Sequence, residues 1–142
     1  MTLEKNGVES VFVVPDLVQF IPLVGKGYTD LLASLGFNWK RLAGARVLAI
    51  EGKSPYVYAD FIAATQSGNY LDHGVRVNSV FSSYRISGND FSQRFGDIAG
   101  PVFPDLQSLT MTLQLVNSTK SEKVTIPFVS SFGGVAFKNG AD

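Results

Sequence analysis

The side chains able to do chemistry are few and scattered. There is one histidine, His73, in the run Leu71-Asp72-His73-Gly74, and no cysteine. A hydrolytic triad needs a nucleophile, a base within hydrogen-bond reach and a third group that orients the base. Serines are plentiful, but none occupies a Gly-x-Ser-x-Gly elbow, and Ser130-Ser131-Phe132-Gly133-Gly134 is glycine-rich on one side only. Asp72 beside His73 has the pattern of a helix start, where a short acidic side chain accepts from free amides. The expectation is no catalytic residue and no enzyme activity of the chain's own. One histidine without cysteine falls short of a zinc ligand set, and no spacing matches a calcium loop, so neither metal nor cofactor is expected. Gly25-Lys26-Gly27 lacks the Walker spacing and reads as a turn. Asp60, Asp72, Asp90, Asp97 and Asp105 offer carboxylates for glycosidase-type chemistry, but no spacing pairs any two of them across a cleft. Asp60 falls on the polar side of its helix. Trp39, Tyr56, Tyr58 and Tyr70 could stack on a sugar, which keeps a stand-alone carbohydrate or small-ligand binding domain as the alternative function. Asn117-Ser118-Thr119 is a sequon for N-glycosylation of an exported chain.

Size and charge bound what must hold these residues. A chain of 142 residues suits one domain, which buries roughly 70% of its unfolded surface. With 45% apolar and 17% charged residues the composition is that of a packed core and not of a disordered segment. Twelve basic residues balance twelve acidic ones without a Lys/Arg run that could neutralise a row of phosphates, so no nucleic-acid partner is expected. The purely apolar stretches are a few residues long, against about 20 for a bilayer span, so no membrane association is expected either. Residues 1–7 are expected to be a disordered lead-in, 8–132 a single domain and 133–142 a flexible tail.

The clearest strand is 108–116, where Leu109, Met111, Leu113 and Leu115 alternate with polar residues. Residues 123–129 repeat the pattern with Val124, Ile126 and Phe128, and the polar 117–122 reads as the loop of a hairpin. Pro127 cannot donate to a ladder and marks the second strand as an edge. Residues 8–14 and 17–23 are apolar runs parted by Pro15-Asp16 and read as strands, and 46–51 reads as a buried strand closed by Gly52. Ser54-Pro55 opens a helix that presents Tyr58, Phe61, Ile62 and Thr65 on one face and stops near Gly68. Asp72 caps a second helix with Val77, Val80, Phe81 and Tyr84 at helical spacing, and 29–35 is a short third. The stretch 87–105 reads mostly as loop.

The segment from Gly44 to Pro55, with Ala49-Ile50-Glu51-Gly52-Lys53-Ser54-Pro55, resembles the PDZ-domain sequence in which a strand leads into the long helix beside the peptide groove. The run from Gly44 to Pro104, including Gly68-Asn69-Tyr70-Leu71-Asp72-His73-Gly74 and Arg76-Val77-Asn78-Ser79-Val80-Phe81, is similar to the PDZ-like insert of fungal S41-family serine peptidases, relatives of the chlamydial protease-like activity factor. The resemblance covers about 8–132. It implies an α+β fold, a small twisted antiparallel sheet or partly open barrel with two to three helices. It also implies a non-catalytic module of a secreted peptidase, since in that family the catalytic histidine lies upstream of the insert and the nucleophilic serine downstream. The implied partners are the protease domain of the same parent chain and an extended peptide bound by strand addition. The groove would lie between the 54–66 helix and a neighbouring strand edge, with Tyr58 or Ile62 facing the peptide. Ser34-Leu35-Gly36-Phe37 matches the carboxylate-binding loop of PDZ domains only superficially. Eight residues separate it from Arg46, where PDZ domains place a further strand and helix.

Overall fold

Alternation of apolar and polar side chains builds the most regular part of the molecule. β6 (Ser108–Gln114) and β7 (Ser121–Pro127) form an antiparallel hairpin in which Leu109 is opposite Ile126 and Met111 opposite Val124. β3 (Arg46–Ile50) pairs with the other side of β6, with a bulge at Leu48 between Val47 and Ala49. β2 (Val8–Phe12) pairs with β3 only through Val11–Val47 and Phe12–Arg46, and β1 (Thr2–Lys5) pairs with β2 along its length. The result is an open antiparallel sheet in the order β1-β2-β3-β6-β7. The computed structural model describes residues 2–15, 17–68, 70–81, 83–87, 90–94, 96–99 and 107–128. The tail 133–142, the serine–glycine run 130–134 and Asp105 lie outside them, as does part of 87–105.

Helices occupy connections between the strands of this sheet. α1 (Leu17–Val24) and α2 (Lys26–Ser34) meet at Gly25, whose φ of 123° belongs to glycine. A 3₁₀ turn, Trp39–Leu42, leads back to β3, and the Arg41 guanidinium grips the Glu122 carboxylate of β7 at 2.9 and 3.1 Å. α3 (Pro55–Thr65) lies against β3 and α4 (His73–Val80). The core between them holds Val47, Ile50, Ile62, Val80, Leu113 and Val124. A second hairpin, β4 (Ser83–Ser87) with β5 (Asp90–Arg94), follows α4 and makes a separate two-stranded sheet. Among the described residues no helix is long and apolar enough to cross a membrane.

The molecule is thus α+β with an antiparallel sheet, and four elements depart from the sequence expectation. Residues 17–23 are helical, because an eight-residue apolar run carries no period that separates helix from strand. Residues 1–7, expected outside the fold, contain β1, turned back on β2 by Asn6 and Gly7 at φ 55° and 74°. Positive φ at both central positions is the type I′ turn whose twist suits a hairpin. The loop expected over 87–105 contains β5, and Tyr84, expected on the α4 spacing, lies in β4 instead.

Candidate functional site

The site expected beside α3 is built from the turn that launches it. Ile50 and Lys53 bond each other across Glu51 and Gly52, which sit at φ 48° and 73°, a second type I′ turn. A glutamate at positive φ is uncommon, and its side chain has a compensating role. The Glu51 amide donates to Thr110 O, but the return bond from Thr110 N does not go to the Glu51 carbonyl. The Glu51 carboxylate takes that carbonyl's place and accepts from Thr110 N. Pro55 then starts α3 at a position where its missing N–H costs nothing, while Ser54 makes no side-chain cap bond.

α3 is apolar nearly all round, with Tyr56, Val57, Tyr58, Ala59, Phe61, Ile62, Ala63 and Ala64 in succession around Asp60. The sheet takes the side bearing Ala59, Ile62 and Ala63. Ile62 is only 3% exposed and belongs to the core, whereas Tyr58 is half-buried at its margin beside Glu51. Burial first, then the Glu51 charge, raise the Tyr58 hydroxyl pKa. The strand beneath α3 is β3, which has β2 on one side and β6 on the other, so the helix does not border an outer strand of the sheet.

Tyr56 reaches from the first turn of α3 toward β2. Its ring meets Phe81 edge-on at 6.2 Å, and its buried hydroxyl lies beside the Glu9 carboxylate without the geometry of a full hydrogen bond. Burial first, then Glu9, push this hydroxyl from 10.0 up to about 12. Below pH 10 the tyrosine is protonated in both folded and unfolded chains. Between pH 10 and about 12 the unfolded chain releases the proton first, so stability falls as pH rises through that window. Tyr56→Phe should flatten the fall, with a remainder from Tyr28 and Tyr58, whose hydroxyls burial also raises. Urea midpoints followed through the window check this, and parallel curves for the two proteins would refute it.

The one histidine joins the two helices. His73 Nε2 lies 3.0 Å from Asp60 Oδ1, while Asp72 caps α4 by accepting from Val75 N at 2.8 Å. Both members of the His73–Asp60 pair are more than half exposed, and among the described residues no hydroxyl bonds either of them. The arrangement is a surface contact between the two helices, and among the described residues no hydroxyl stands in line with it. Asp97 ties the ends of α3 and α4 together, accepting from Ser67 Oγ at 2.7 Å and Ser79 Oγ at 3.0 Å. Among the described residues no group of His, Asp and Glu is gathered closely enough to hold a metal ion. Of the four aromatics that could stack on a sugar, Trp39 is buried, Tyr56 and Tyr58 are half-buried and Tyr70 is exposed, so they present no row.

Several large apolar side chains on or just before the two helices are exposed. On α3, Val57 is 55% exposed and Phe61, one turn on, 47%. At the start of α4, Leu71 is 102% exposed and Val75 45%. The His73–Asp60 contact joins α3 to the first turn of α4. The sequence carried a signal of this face: a helix apolar all round is normally enclosed, so one lying on a sheet keeps an apolar side that the domain does not cover. No protein-family model, curated protein or solved structure matches the chain.

Proposed function

We propose that this chain is the non-catalytic PDZ-like module of a secreted S41-type serine peptidase, and that it packs on the protease domain through the outer face of α3 and α4. The observation that carries the reading is the exposure of Val57 and Phe61, one turn apart on α3, with Leu71 and Val75 exposed at the start of α4. Large apolar side chains exposed side by side, as Val57 and Phe61 are one turn apart, favour contact with another protein, whereas apolar residues scattered singly need no explanation. The resemblance of Gly44 to Pro104 to the peptidase insert supplies the partner. An extended peptide is the second occupant of this reading. The outer edge of β7 is blunted by Pro127 and by exposed Lys123, so strand addition falls to the outer edge of β1.

The test uses the protein expressed from its complete reading frame. A downstream domain with a serine nucleophile is expected, and a frame without one overturns the family reading. Amide hydrogen exchange then compares the full-length protein with the isolated chain. Slower exchange in α3 and at 71–76 within the full-length protein is the expected result. Equal exchange of these amides in the two proteins overturns the docking face.

A further inference from the structure

The hairpin tip between β6 and β7 carries the sequon that the proposed function leaves unused. Residues 115–120 turn the chain, with Asn117 at φ 62°, a left-handed conformation that asparagine tolerates better than most residues. The three sequon residues are disposed differently. Ser118, in the middle, is turned inward and holds the loop together. Its amide donates to Leu115 O at 3.1 Å, and its carbonyl accepts from Gln114 Nε2 at 2.9 Å. Its hydroxyl both donates to Lys120 O and accepts from Lys120 N at 3.1 Å. Asn117 and Thr119, the acceptor and the hydroxyl residue that define a sequon, are both exposed. Among the described residues the Asn117 amide group makes no hydrogen bond, so its modification disturbs no contact of the fold. The loop is therefore shaped by the one sequon position whose identity is free, and it leaves the two required positions in solvent. The sequence contains no second Asn-x-Ser/Thr triplet, so the assignment is to a single site.

We infer that Asn117 is the N-glycan acceptor of this chain. The co-substrate is an oligosaccharide carried on a lipid pyrophosphate. A bond forms between Asn117 Nδ2 and the anomeric carbon of the first sugar, and the bond from that carbon to the pyrophosphate oxygen breaks. The lipid pyrophosphate departs with the bonding pair, and the amide gives up one of its two protons to a base of the transferase. The inference rests on only one part of the proposed function, passage along a secretory route. It stands apart from what covers α3 and α4.

The experiment translates the whole chain behind a cleavable secretory signal in the presence of rough microsomes and examines the signal-cleaved, protease-protected product. A slower-migrating form that collapses on peptide-N-glycosidase treatment is expected, with Asn117 converted to aspartate in the treated peptide. Asn117→Gln and Thr119→Ala should each abolish the slow form, and Thr119→Ser should keep it. A protected product whose mobility ignores the glycosidase overturns the inference, as does a slow form that survives Asn117→Gln. Unequal hydrogen exchange at α3 and α4 is read in the full-length protein, so the failure of either proposal leaves the other standing.

Discussion

Replacing Gly96 with alanine is expected to cost about 3 kcal/mol or more, a large part of the roughly 5–15 kcal/mol that holds a domain folded. Gly96 is buried, and a Cβ built on it would lie 2.0 Å from Val80 O, 2.5 Å from the Phe81 carbonyl carbon and 2.7 Å from that of Val80. Its φ is outside the left-handed region, so the requirement is for space and not for conformational freedom. All three obstacles are backbone atoms at the end of α4, the residue Val80 being wholly buried. Relief requires moving α4 or the 96–99 segment, and that segment is anchored by Asp97 to Ser67 and Ser79. A fall of roughly 10 °C in melting temperature corresponds to this cost in a domain of this size. An alanine variant melting within a degree or two of the parent would show that the segment does not press on α4.

The elements with a period of their own were legible. Alternation along 108–116 sets one face of β6 in the core, because a slip of one residue would expose all its large side chains. Asp72 marked the start of α4, and it does accept from Val75 N. Where every residue is apolar, period gives no direction. That is why 17–23 reads as a strand and folds as α1. It is also why Phe61 reads as core on α3, while the sheet selects Ala59, Ile62 and Ala63. Two alanines let the helix backbone come close to β3, and a phenylalanine ring in the same position would hold it off. β1 is hard to read from the sequence for another reason. Lys5-Asn6-Gly7-Val8 carries a strong short-range hairpin signal, but the polar residues before it outweighed the dipeptide.

The pairing of β2 bears directly on the site. A groove beside α3 needs an outer strand there, and the partial pairing of β2 to β3 keeps β3 inside the sheet. Tyr56, reaching Glu9, occupies the side where β2 leaves β3 after Val47. Ile62 then has the core as its surroundings, and Tyr58 alone of the expected pair keeps contact with solvent. What remains available on α3 is the opposite flank, Val57 and Phe61, and a flank of that kind suits a folded partner better than an extended peptide.

Leu113→Ala and Phe61→Ala should therefore part company, although both side chains look like core in the sequence. Leu113 is 0% exposed near the C-terminal end of β6, opposite Val47 of β3 and Glu122 of β7, with its side chain in the main cluster. Truncation removes the transfer free energy of three carbons and leaves a cavity that a sheet interior cannot close, so a loss of about 2–5 kcal/mol is expected. Phe61 leaves no cavity. Its ring packs obliquely on Tyr58 at 6.4 Å and lies under the Lys53 ammonium at 5.2 Å, surface contacts together worth about 1 kcal/mol or less. Ser54→Ala should fall with Phe61→Ala, since the serine makes no cap bond. Urea melts of the isolated chain separate the cases by midpoint at constant slope. In the full-length protein the order should reverse for docking: Phe61→Ala leaves the module folded and frees the exchange of α3 and α4 amides. A Phe61→Ala loss as large as that of Leu113→Ala in the isolated chain would put the ring in the core and remove the uncovered face on which the proposed function stands.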